Sequence, residues 1–128
     1  MRVERVTLLT QSETVRLDPR RLEQLYLQLG ETGAEDVVCR ALEELAVRLS
    51  HTERCFRRDK VEDMRRSARS LIAIAEQMGM NKLACVARDV TLCIDLHDKV
   101  AVAATLSRLL RIGETSLHEI WQMPDYSV

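Results

Sequence analysis

Residues 65–80 read RRSARSLIAIAEQMGM. Ala68, Leu71, Ala75 and Met78 recur at spacings of three and four, and Met64 and Val61 carry the same stripe backwards. That period predicts an amphipathic helix over about residues 60–78. Asp59 stands where a cap is expected and Gly79 where the helix should stop. At about 100° per residue the stripe centres near Leu71 and Ala75, and Arg69 lies roughly 130° from that centre, facing solvent. Arg65, Ile72, Ala73 and Glu76 surround Arg69 on that face, with Ile72 the one aliphatic member at its border.

The same period continues on both sides. Upstream, Asp18 and Pro19 open a short helix whose apolar face is Leu22, Leu25 and Leu29, and Gly30 ends it. Thr32 or Gly33 then opens a long helix through about Arg57, striped by Val38, Leu42, Leu45, Leu49, Thr52 and Phe56. Downstream, Asn81 is expected to cap a helix carrying Leu83, Val86, Ala87, Val90, Cys93 and Ile94. Asp98 is expected to cap the last, carrying Val102, Leu106, Leu109, Gly113, Leu117 and Ile120. Gly113 sits on the core stripe, which implies a close helix contact. Short connections make neighbouring helices antiparallel, so the expectation is an all-α, antiparallel up-down four-helix bundle over residues 17–122, with a short preceding helix. Residues 1–16, MRVERVTLLTQSETVR, differ in character. They read as an N-terminal extended arm, either a short hairpin or a short helix, packed on the body or on a partner. Residues 123–128 form a C-terminal tail.

Composition agrees with a helical domain. Aromatics are 3% of the chain, so the core must be Leu, Val, Ile, Ala and Met, and four Gly and two Pro leave long helices few interruptions. A net charge of −1 gives no global pull toward nucleic acid or membrane. No apolar run approaches membrane-spanning length. MRVERV is charged and has no apolar h-region, so no signal peptide is expected and a reducing cytoplasm is the expected setting. Cys39, Cys55, Cys85 and Cys93 form no CxxC pair and have no histidine at metal-ligand spacing. They read as small hydrophobes rather than as a metal or redox site.

The pattern around Arg69 resembles the histidine-containing phosphotransfer (HPt) domain of multistep two-component signalling. That family's third-helix signature is approximately A-H-x-L-K-G, a spacer, then L-G. Here the chain has Ala68-Arg69-Ser70-Leu71-Ile72-Ala73, a spacer, then Met78-Gly79. LDPRRLEQLYLQLGE is similar to the family's first helix, FRRDKVEDMRRSAR to its turn into the signature helix, and GMNKLACVARDV to the segment that follows. The resemblance spans residues 17–121. It implies that Arg69 occupies the position of the phosphoryl-accepting histidine, with Ile72 and Ala73 replacing the lysine and glycine. A guanidinium is protonated throughout the physiological range and its nitrogens are poor nucleophiles, so phosphoryl transfer at this position is lost. The resemblance therefore implies a degenerate module with no catalytic residue, no cofactor and no metal. It would bind the receiver domain of a response regulator or hybrid kinase, in a bacterial cell, through Arg65, Arg66, Arg69, Ile72, Ala73 and Glu76. Arg69 would present a positive charge to the receiver's acidic phosphorylation pocket.

Two other expectations stand beside it. One is a structural four-helix domain that dimerises through its N-terminal arm or through the apolar residues Trp121, Met123 and Tyr126. The other is a phosphotransferase that uses another histidine, His51 or His118, each on an outer helix face. His97, at a helix C-terminus, suits the negative end of the helix dipole. Residues 54–69 hold seven basic and three acidic side chains, a local balance of +4. The charges are spread around two helices and their turn without stacking aromatics, which disfavours nucleic acid and leaves an acidic protein partner. Glu43–Glu44 reads as a solvated face. No phosphate loop, HExxH or G-x-S-x-G occurs.

Overall fold

The computed structural model describes residues 18–121. The expected arm at 1–16 and the Met123 and Tyr126 patch lie outside the described residues. Four helices make up the described chain: α1 Pro19–Arg57, α2 Val61–Gln77, α3 Asn81–Asp95 and α4 Lys99–Trp121. No strand occurs among the described residues, and the arrangement is consistent with a four-helix bundle. Each helix packs on the next, and α1 also meets α4, closing the ring.

α1 opens as its sequence requires. Asp18 Oδ1 accepts the Arg20 N–H at 3.0 Å, and Pro19 takes the first helical position, where its missing N–H costs nothing. Gly30 departs from helical geometry, with φ 75° and ψ 178°. The helix resumes immediately, so the long helix starts a residue or two before the expected opening at Thr32 or Gly33; segments 19–29 and 31–57 meet at a kink.

The three connections are one motif repeated. In each, a left-handed residue follows the last helical turn and two N–H groups close back on it. Asp59 N–H donates to Phe56 O and Lys60 N–H to Cys55 O; Gly79 N–H donates to Glu76 O and Met80 N–H to Ala75 O; His97 N–H donates to Ile94 O and Asp98 N–H to Cys93 O. This is the Schellman closure, and the left-handed positions are Asp59 (φ 56°), Gly79 (φ 70°) and His97 (φ 56°). The motif corrects two expected caps. Asp59 ends α1 instead of opening α2, whose N-cap is Lys60 without a side-chain hydrogen bond. Asn81 is the first residue of α3, behind Met80 as N-cap. Asp98 does cap α4, accepting the Ala101 N–H at 3.0 Å.

The core forms where the stripes meet. Leu42, Leu45 and Leu49 of α1 join Met64, Ala68 and Leu71 of α2, Leu83, Val86 and Val90 of α3, and Leu106, Leu109 and Ile112 of α4. Gly113 lets α4 approach α1: a Cβ there would lie 2.5 Å from Leu49 Cδ1. Three expected core residues are exposed instead. Phe56 is 37% exposed and Val61 45%, because each lies at a helix end where no further layer stacks; Cys55 takes the buried place beside Phe56. Leu29 is 49% exposed, next to the kink at Gly30.

A buried hydroxyl pair joins α1 to α2. Thr52 Oγ1 and Ser67 Oγ lie 2.7 Å apart, and both reach the Arg48 carbonyl, at 2.7 and 3.2 Å. Either single substitution, Thr52→Val or Ser67→Ala, is expected to cost about 1 kcal/mol, since each strips one partner from a buried group. The double variant should cost measurably less than the sum of the singles in a urea-unfolding cycle; strict additivity would contradict a coupled pair.

Candidate functional site

The outward face of α2 is built by the helix period itself. Met64, Ser67, Ala68, Leu71 and Ala75 are buried. Glu62, Arg66, Arg69, Ala73 and Glu76 are exposed and succeed one another up the opposite side.

The charges on this face are mostly paired. Arg66 Nη2 meets Asp63 Oδ1 at 3.2 Å one turn earlier. Glu76 meets Arg88 of α3. Arg65 is only 19% exposed and turns toward α3: its Nη1 binds Glu62 Oε1 and its Nη2 binds Asp95 Oδ1, both at 2.7 Å. Its Nε is buried with no hydrogen-bond partner among the described residues. Two carboxylates hold this guanidinium against the bundle, so Arg65 ties the start of α2 to the end of α3. Ile72 is half-buried and packs on the core. Arg69 differs from its neighbours: it is exposed and has no ion-pair partner among the described residues. Ala73, one turn on, adds almost no bulk beside it.

Of the six residues expected to form one docking face, Arg66, Arg69, Ala73 and Glu76 share it. Arg65 and Ile72 border it on the side toward α3 and the core. The guanidinium of Arg69 can donate a fork of N–H groups to a carboxylate or phosphoryl group. The adjacent Ser70 hydroxyl donates to the Arg66 carbonyl at 3.2 Å.

The groove between α1 and α2 holds two concave features that the sequence did not reveal. One, of about 330 Å³, is lined by Arg48, His51, Asp63, Arg66, Ser67 and Ser70. The other, of about 190 Å³, is lined by His51, Arg54, Cys55, Arg58, Lys60 and Asp63. His51 is half-buried, with Nε2 3.5 Å from Cys55 Sγ. A third, apolar cleft of about 260 Å³ opens between the turns that follow α1 and α3, where Phe56, Val61, Met64, Ile94 and Val102 meet His97. His118 and His97 are both exposed. All four cysteines are free. Among the described residues no group of acidic, histidine and cysteine side chains is placed to hold a metal ion, and no helix is long and apolar enough to cross a membrane.

No protein-family model, no curated protein and no solved structure matches this chain.

Proposed function

We propose that this chain is an HPt-like signalling module of a bacterial two-component phosphorelay that has lost phosphoryl transfer. In this reading it is a cytoplasmic, antiparallel up-down bundle that binds a receiver domain through the outer face of α2. The observation that carries the proposal is Arg69. It stands mid-helix where the resemblance puts the phosphoryl-accepting histidine. It is the exposed cation of that face left without an ion-pair partner among the described residues, while Arg65 and Arg66 are occupied. An acidic pocket or a phosphoaspartate is a natural counterpart for a guanidinium so presented. Arg66 adds to the local positive field, Ala73 permits close approach, and Ile72 supplies apolar contact at the rim.

The test mixes the protein with each phosphorylated receiver of its source cell and follows both label transfer and complex formation. A complex is expected with one receiver and no label on this chain. Arg69→Ala should weaken that complex about ten- to hundredfold, the loss of one or two charge-assisted hydrogen bonds. Binding that survives Arg69→Ala undiminished would sink the role of this residue. Stable label that disappears in His51→Gln or His118→Gln would show an active phosphotransferase instead.

Self-association is a second reading, with its own observation. Leu96 and Val100, 75% and 81% exposed, flank the turn beside the apolar cleft. The rim of that cleft carries Asp59 and Asp98 with Lys60 and Lys99, a balanced set that a second copy could match across a two-fold axis. A concentration-dependent dimer by sedimentation, with no receiver complex, would favour it.

A further inference from the structure

We propose that the cleft between the C-terminal end of α1 and the first turn of α2 is an oxyanion site for a phosphate monoester, formed by Arg54, Arg58 and Lys60 with His51. The proposal is independent of receiver binding by Arg69. Three observations converge on it. First, Arg54, Arg58 and Lys60 all line one cleft of about 190 Å³, and none of the three has an ion-pair partner among the described residues. The other cations of the groove are neutralised: Arg48 by Glu44 and Arg66 by Asp63. Arginines at the end of α1 already suit the helix dipole. The dipole does not explain why they meet a lysine of the next turn and a histidine of the previous one at a single concavity.

Second, α2 starts beside this cleft with no side-chain cap. Its N-cap is Lys60, whose ammonium side chain cannot accept a hydrogen bond from the first-turn N–H groups. An anion held near Lys60 would meet the positive end of a 17-residue helix. Third, the site adjoins the neighbouring cleft of Arg48, Arg66, Ser67 and Ser70, with His51 and Asp63 lining both. Asp63 is the one carboxylate in either lining and is held by Arg66 at 3.2 Å. The cleft of Arg54, Arg58 and Lys60 thus carries three cations against one paired carboxylate. Its small size fits a single phosphoryl group with the rest of the ligand lying toward the adjoining cleft. The linings contain no exposed aromatic that would stack a base, which argues for a phosphate monoester rather than a nucleic acid.

The experiment titrates the whole chain with inorganic phosphate, with glycerol phosphate, and with phosphatidylcholine vesicles containing phosphatidic acid, in chloride buffer. Amide shifts are followed by NMR and vesicle binding by co-sedimentation. Saturable shifts centred on residues 51–63 are expected with the soluble phosphates. The Arg54→Gln/Arg58→Gln variant should bind about a hundredfold more weakly, roughly tenfold for each charged contact removed, with its helical circular dichroism unchanged. Arg69→Gln should bind as the parent does. Vesicle binding lost in the same double variant would support the site and identify a lipid headgroup as the source of the phosphate. Linear, unsaturated shifts up to millimolar phosphate without vesicle binding, saturation unaffected by the double variant, or binding of duplex DNA without binding of phosphate would each overturn the proposal.

Discussion

Leu71→Ala is expected to lower the stability of this domain by about 2–5 kcal/mol, a large share of the roughly 5–15 kcal/mol typical of a whole domain. Leu71 is fully buried at the centre of α2. Its loss removes apolar burial and leaves a cavity, and the size of the penalty depends on whether neighbours can collapse into the gap. The two buried alanines that flank it on α2, Ala68 and Ala75, have only a methyl group and no rotamer to swing inward. Alanine here keeps helix propensity, so the measured loss reports packing alone. The urea midpoint should fall while the slope with denaturant stays the same. Ile72→Ala, one residue away but half-buried, should cost less than half as much. Equal losses at the two positions would contradict the inward face assigned to α2.

Gly79→Ala is expected to cost about 2–4 kcal/mol, from two sources that add. The first is conformational. Gly79 has φ 70° and is the left-handed residue of the closure that ends α2, a conformation a side chain resists. The second is steric. An added Cβ would lie 2.5 Å from Asp18 Cβ and 3.2 Å from the Asp18 backbone nitrogen. Backbone cannot rotate out of the way as a flexible side chain can. Asp18 also caps α1, so its displacement should free the Arg20 N–H and raise amide exchange at the start of α1. Gly30→Ala separates the two sources: φ 75° with ψ 178° is a conformation left almost wholly to glycine, yet nothing lies within 4 Å of the added Cβ. It should show backbone strain alone, about 1–3 kcal/mol. A Gly79→Ala penalty of no more than about 1–2 kcal/mol, the left-handed backbone cost alone, with unchanged exchange at Arg20, Arg21 and Leu22, would rule out the contact.

Much of the helical framework is legible in the chain because it follows from periodicity. Stripes such as Leu42, Leu45 and Leu49, or Leu83, Val86 and Val90, face the core because residues three and four apart share one side of a helix. The Asp18 and Asp98 caps, the Gly79 stop and the close contact at Gly113 follow from equally local chemistry. The ends were less legible. Asp59 and His97 do in the other two turns what Gly79 does after α2, and no local rule announces that an aspartate or histidine will take a left-handed conformation. Phe56 and Val61 continue their stripes beyond the last core layer, which a one-dimensional pattern cannot locate.

The candidate site divides the same way. That Arg69 faces outward on α2 is a consequence of helical angle, readable from residues 61–78 alone. Whether its neighbours are free to act with it is not. Arg65 lies close to Arg69 on the helix surface, yet it is drawn toward α3 by Asp95, 30 positions away in the chain, and Arg88 holds Glu76 in the same way. Nor could sequence show that Arg54, Arg58 and Lys60, scattered around a helix end and a turn, would converge with His51 on one cleft. Which faces are apolar follows from the order of residues alone, because burial repeats with a period of a few residues. Which charges on the polar faces are already neutralised, and which are left for a partner, is set by the packing of the helices, because ion pairs such as Arg65–Asp95 and Glu76–Arg88 join residues remote in the chain.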